Sequence, residues 1–377
     1  MEVSIMIKNK LTNIEFSCLI FFPILSLFSG IGTNNTIKIA GVDSYLSVFL
    51  AYLLGFIPLL LFLLIFNYKK ELNIKEKIEY LFGKILGTII NYSIYILIIL
   101  IGTILLYSIS NFAISQFLSE TPIIVFMILL GLILIYSVSL GIENISKVAI
   151  ISLAIICFLT IISTAGIIPH FEVSNIKPFL EKGITTPLKG SIVLILTNIV
   201  PIFILLIVPK NKIENNNKTN KYLIIFYTIA FFFIFLAILL TIGSLGIYLC
   251  DIYQYPEYTV LKKISLFNFI DRIENFIYIK WILSSVICLS LIIHYLSEGI
   301  KKQSKKIIPT LITLTMIYLV TRIFKNNTIF YSFALNIYPY ISLLLLSIFL
   351  IIGSNIIIRK IIKLDTLLEK EKNTNIE

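Results

Sequence analysis

Residues 16–35 read FSCLIFFPILSLFSGIGTNN, and the order of residue types in that run decides the fold. Up to Phe28 the stretch is almost wholly apolar, the composition of a helix in hydrocarbon. Pro23 and then Ser29-Gly30-Ile31-Gly32-Thr33-Asn34 interrupt it before the apolar run has ended. In a lipid-buried helix such residues free backbone N–H and C=O groups, which is tolerated only where protein or a cavity re-satisfies them. The stretch therefore predicts a spanning helix broken near Gly30, with close helix packing at Gly30 and Gly32 as the plainer alternative.

Working outward, nine more apolar runs follow, so that the spans fall near residues 14–34, 45–66, 85–111, 122–140, 148–168, 188–208, 222–248, 275–296, 307–324 and 329–358. Each approaches the roughly 20 residues needed to cross a hydrocarbon core. With 58% hydrophobic residues, 14% charged residues and a mean hydropathy of +0.99, the chain reads as an all-α integral membrane protein of about ten helices. The runs are continuous rather than alternating, which argues against a β-barrel. Residues 1–363 form one membrane domain in this reading, and residues 364–377 a short charged tail. No cleavable leader is expected, because no small-residue cleavage pattern precedes the second run.

The formal charge of +11 does not point to nucleic acid, because the basic residues sit in short clusters between apolar runs. Assigned alternately to the two faces, 21 of the 31 Lys and Arg residues fall on the face that carries both termini. That asymmetry predicts cytoplasmic termini. Cys18, Cys157, Cys250 and Cys288 lie in or beside apolar runs without metal-ligand spacing and read as packing residues.

Ten spans divide into two fives of opposite orientation, about 14–168 and 188–358, the inverted-repeat plan of many secondary transporters. Two correspondences support this. Span 6 carries Thr197-Asn198-Ile199-Val200-Pro201 where span 1 carries its Gly-rich break. Charged amphipathic stretches at Glu71–Lys84 and Tyr258–Asp271 occupy matching places after spans 2 and 7 and read as interfacial helices. A LeuT-like 5+5 bundle with broken spans 1 and 6 is the expectation.

The sequence contains no HExxH, GxSxG, GxGxxG or P-loop pattern, so no catalytic residue, metal ligand or cofactor is assigned and an enzyme is not expected. His294 and Glu298, four apart, form a pair at the end of span 8. Almost no ionisable residue lies deep in a span, since Glu15, Glu143, Lys147, Asp271, Glu274 and Arg322 fall at or near span ends, which leaves proton-coupled transport without an evident carrier. Exposed backbone at the breaks, with nearby polar side chains, forms the candidate ligand pocket: Gly30, Gly32 and Thr33 of span 1, Tyr95 of span 3, Thr197 and Asn198 of span 6, and Ser285 of span 8. Bulky replacements at Gly30 or Gly32 are expected to fill that pocket without lowering the amount of protein.

The string Tyr255-Pro256-Glu257-Tyr258, then Lys262-Lys263-Ile264-Ser265 and Asn268-Phe269-Ile270-Asp271-Arg272-Ile273-Glu274, closing at Trp281, resembles the most distinctive segment of the spore germination receptor B-subunit family. Asn175-Ile176-Lys177-Pro178-Phe179-Leu180, with Gly183, Pro187 and Gly190, is similar to that family's loop before span 6. The resemblance implies a place in the amino acid, polyamine and organocation transporter superfamily. It also implies a nutrient germinant receptor subunit in the inner membrane of a bacterial spore, working with A and C subunits. Such a subunit binds a small germinant, an amino acid being the expected class, and passes on a conformational signal. Arg272 and Glu274 are then expected to fix the outer interfacial helix or touch a partner subunit. An amino acid permease of the same superfamily, or a passive water or ion channel, is the alternative.

Overall fold

The computed structural model describes residues 10–214, 217–262, 274–298 and 306–362. Among them the chain is helical, and its one β feature is an isolated parallel bridge between Leu11 and Ile213. Span 1 comprises α1 (Asn13–Cys18), α2 (Phe21–Leu27) and α3 (Thr33–Ala40), and a 3-10 turn at Gly41–Asp43 reverses the chain into α4 (Ser44–Leu54) and α5 (Phe56–Asn67), which make span 2. Spans 3 to 5 follow as α6 (Ile74–Gln116), α7 (Ile123–Ser139) and α8 (Ile142–Ile167). In the second half α9 (Thr185–Leu194) opens span 6, α10 (Thr219–Ile252) is span 7, and the short α11 (Pro256–Lys262) precedes α12 (Asn275–Ser297), which is span 8. Span 9 is α13 (Ile307–Ile323), and span 10 joins α14 (Asn327–Asn336) to α15 (Tyr338–Ile361).

Both expected irregularities are present, in different forms. In span 1 Ser29 turns extended, with ψ of 125°, and Gly30 takes φ of 75°, so the helix is interrupted. In span 6 a π-turn at Ile195–Ile199 passes into a 3-10 helix at Val200–Ile207, with Pro201 at its start. There the hydrogen-bond register changes while the backbone stays helical. Pro201 has no N–H to give an α-helical ladder.

The first expected interfacial helix and the start of the second, Pro256–Lys262, appear at opposite ends of the bundle, and residues 263–271 of the second lie outside the described residues. α6 bends at Gly83 (φ 77°), which separates its charged first turns from span 3. Those turns are tied to the end of the bundle that carries Leu11 and Arg359: Arg359 Nη2 donates to the Leu81 carbonyl at 2.9 Å, and Lys75 Nζ to the Glu298 carbonyl at 2.7 Å. Backbone bonds from Leu11 N to Lys212 O and from Asn211 N to Lys70 O lie at the same end, here termed the terminal face. α11 lies at the other face, beside Gln254 and Tyr331.

α12 packs against α2, α6, α7 and α8 and is the centre of the bundle, with Trp281, Cys288, Ile292 and Tyr295 all buried. Outward-facing Ile57, Ile85, Ile161 and Phe232 are 58–79% exposed. An apolar coat of this kind is untenable in water and is what a bilayer covers. The chain is an all-α integral membrane protein.

Candidate functional site

The site is built where span 1 breaks. Because Ser29 and Gly30 leave the helical ladder, the Gly30 N–H turns away from span 1 and donates to Glu257 Oε1 at 3.0 Å. The Thr33 hydroxyl lies 3.3 Å from the same carboxylate oxygen and 3.3 Å from the Phe28 carbonyl. The Gly30 carbonyl accepts from Asn34 Nδ2 at 2.7 Å, and that amide also donates to the Gln254 carbonyl at 2.6 Å. The groups freed by the break are thereby satisfied by side chains and by the segment that leads into α11.

Glu257 reaches this position because Pro256 begins α11 and puts Glu257 in its first turn. Its second oxygen, Oε2, is buried and has no hydrogen-bond partner among the described residues. Burial raises the Glu257 carboxyl above the ordinary carboxylate value, while the donors from Gly30 and Thr33 and the positive charge of Lys280 draw it back down. Lys280 of α12 and Glu257 line one cavity of about 90 Å³, bounded by Ser29 of span 1, Thr160 and Thr164 of α8, and Phe233 and Ala237 of α10. A volume of that size holds several water molecules or one small solute. No ion pair joins the two among the described residues, although both line the same cavity.

On the far side of the break lies a wider polar vestibule of about 510 Å³, lined by Asn34, Lys38, Asp251, Gln254, Asn327 and Tyr331, at the face opposite the one that carries Leu11 and Arg359. Its floor is a hydrogen-bonded layer: Gln254 Nε2 lies 3.2 Å from the hydroxyls of both Tyr255 and Tyr331, and Asn111 Nδ2 donates to the Tyr255 hydroxyl at 2.8 Å.

The residues expected to form one pocket are divided among several environments. Gly30 and Thr33 meet at Glu257, as described. Gly32 faces Asn198 across a close contact, where a Cβ would lie 3.2 Å from its amide. Asn198 Nδ2 donates to the Ile24 carbonyl at 3.1 Å, Thr197 Oγ1 to Asn198 Oδ1 at 2.7 Å, and the Tyr338 hydroxyl to the Thr197 carbonyl. Thr197 and Asn198 therefore stitch spans 1, 6 and 10 together inside packed protein. Ser285 is fully buried one turn beyond Trp281, and its hydroxyl has no partner among the described residues. Tyr95 is not brought to the break: it sits towards the terminal face, its ring 4.6 Å from Lys75 Nζ and edge-on to Tyr295. Arg272 lies outside the described residues, whereas Glu274 is buried at the start of α12. His294 and Glu298 are 3.7 Å apart, and Glu298 also lies 3.8 Å from Lys212.

Two expectations need correction. Neither glycine opens onto free space: a Cβ on Gly30 would fall 2.4 Å from Trp281 Cη2, at a φ that side chains rarely adopt, and one on Gly32 would fall 2.9 Å from Phe28 Cδ2. Nor is the bundle free of buried ionisable groups. Glu257 and Lys280 meet in the cavity, and Lys77 is buried with its Nζ donating to the Ile65 and Phe66 carbonyls at 2.9 and 3.3 Å. Lys280 was detectable as a charge inside the eighth apolar run. Glu257 lies outside every run, and only the fold carries it inward.

These features can be set beside known proteins. The chain is similar to spore germination protein XB of Bacillus anthracis, 23% identical over 288 residues that cover 74% of this chain and 78% of that protein. Residues 10–328 match the family described as spore germination protein, a span that includes the break, Glu257 and Lys280. The chain thus belongs to the spore germination protein family.

Proposed function

We propose that this chain is the B-type membrane subunit of a nutrient germinant receptor, and that it binds a small zwitterionic solute beside the break in span 1. The observation that carries the reading is one small cavity lined by both Lys280 and Glu257, whose Oε2 is buried without a partner among the described residues. An ammonium group would meet the unpartnered carboxylate oxygen and a carboxylate would meet Lys280. Charge-assisted bonds of this kind are the strong ones in a water-poor site. An amino acid has both groups at the right scale.

The vestibule supplies access, and its Gln254 and Tyr331 layer is tied to the break through the Asn34 amide. Since Gly30 is bonded both to Glu257 and, through Asn34, to that layer, occupancy of the cavity bears on both. A receptor needs only different ligand affinity in two states, and a coupling of about 1–3 kcal/mol gives a strong response. Signalling would pass to A and C subunits in the spore inner membrane, with both termini cytoplasmic and with Arg272 and Glu274 as contacts. Membership of the amino acid, polyamine and organocation superfamily fits the broken first span.

The test is germination against amino acid concentration in spores carrying Glu257→Gln or Lys280→Met, with immunoblots of the inner membrane. Both variants should require at least tenfold more germinant at normal protein amount. Wild-type responses in both would overturn the proposed site. Ion-driven accumulation in proteoliposomes by this chain alone would favour the permease reading instead.

A further inference from the structure

Beyond its two charges, the cavity extends sideways from the break, between α8 and α10, and away from spans 3 and 6. We infer that this crevice is a side-chain pocket that selects an amino acid with an aliphatic side chain, so that α8 and α10 set which solute is accepted. The inference rests on the zwitterion reading of Glu257 and Lys280.

The wall chemistry carries it. Ile156 of α8 and Phe233, Leu236, Ala237 and Leu240 of α10 supply apolar surface, and the side of span 1 adds Leu25 and Phe28. Five hydroxyls are also present, but three of them are already satisfied by backbone carbonyls of their own span, Ser29 Oγ by that of Leu25 at 3.4 Å. Thr160 Oγ1 donates to the Ile156 carbonyl at 2.7 Å and Ser163 Oγ to the Leu159 carbonyl at 2.7 Å. A polar ligand side chain would exchange its hydration for a wall with few free partners, which is costly. An acidic or basic side chain would add a third charge beside an anion and a cation that already balance. A branched alkyl group meets neither penalty.

Position agrees with chemistry. Glu257 and Lys280 sit at the end of the cavity nearest α11 and α12, and the apolar wall begins with Leu261 and Ile277, each one turn or less along those helices. A ligand held by its backbone charges at that end would point its Cβ into the crevice. Small changes in fit should then be felt, since one methylene in an apolar pocket is worth roughly tenfold or more in discrimination.

The experiment uses the full chain in detergent and calorimetric titration with glycine, L-valine, L-leucine, L-aspartate and L-phenylalanine. The wild type should bind L-valine or L-leucine at least tenfold more tightly than glycine or L-aspartate. Ala237→Phe, which fills the crevice, should weaken L-valine and L-leucine binding at least tenfold more than it weakens glycine binding, and so abolish the advantage over glycine. Leu236→Ala, which enlarges it, should move the preference towards L-phenylalanine, and it serves if Ala237→Phe does not fold. An unchanged order of affinities in the variant that folds would overturn the side-chain pocket yet leave the charged site standing. Glycine binding to Glu257→Gln with wild-type affinity, or no binding of any probe by the wild type, would remove the zwitterion reading and the pocket with it.

Discussion

The ring of Trp281 occupies the place that a side chain on Gly30 would need, with Cη2 only 2.4 Å from the position of an added Cβ. Trp281 is itself held there by its indole N–H, which donates to the Ser26 carbonyl at 3.2 Å. The chain's single tryptophan thus seals the break in span 1 against span 8.

Gly30→Ala should therefore lose stability as well as any ligand response. A left-handed φ on a residue with a Cβ costs about 1–3 kcal/mol, and overpacking a filled site adds about as much again. Thermal unfolding of the detergent-solubilised protein should show a clearly lowered midpoint, and the immunoblot a reduced amount. A wild-type midpoint would mean that Trp281 moves freely aside.

Glu257 predicts two opposed pH effects, because its folded pKa is raised by burial. A carboxyl with a raised pKa loses its charge at a higher pH than an ordinary one. L-valine binding should accordingly weaken as pH falls through that value, while an exposed carboxylate would still be ionised. Stability runs the other way: the contribution is present below the unfolded pKa and is lost as pH rises through the folded one. In Glu257→Gln both profiles should be flatter. Identical profiles in the variant and the wild type would show that another group titrates.

Lys77 places a buried ammonium on the last carbonyls of span 2, where the negative end of a helix lies. Lys77→Met keeps the apolar stem but strands those two carbonyls. The expected loss is about 1.5–3 kcal/mol, the range for hydrogen bonds to charged groups. Chemical or thermal denaturation in detergent checks it, and no change would mean that water replaces the ammonium.

Orientation is tested by labelling. On a background without the four native cysteines, Lys212→Cys should react from the cytoplasmic side and Lys177→Cys from the outside. The expectation comes from the uneven division of basic residues between the faces. Labelling of Lys177→Cys only from inside would reverse the topology.

Much of the architecture is local in origin and therefore legible in the sequence. Apolar length marks spans, and the Ser29-Gly30 step marks a place where a helix cannot continue without help. The charged amphipathic stretch before span 3 marks interfacial turns, which the structure separates from the span by the bend at Gly83. The pocket was less legible, because polarity near a break does not say which way a side chain faces. Tyr95 is a polar side chain within span 3, but its helix face turns it to Lys75 and Tyr295. Thr197 and Asn198 were polar in the right place yet spend their hydrogen bonds on spans 1, 6 and 10.

By itself, then, the sequence determined a helical membrane protein with an interrupted first span, since these follow from hydrophobic length and from residues that cannot sustain a helix. The tertiary structure alone decided what meets the interruption. Glu257 is 227 positions from Gly30, on a short helix outside every apolar run, and becomes a site residue only when α11 folds against the break. Lys280 joins it because α12 crosses the same level of the bundle. Whether a freed backbone N–H meets water, a carbonyl or a carboxylate depends on which distant segment packs there, and that choice is made by the packing of the whole bundle.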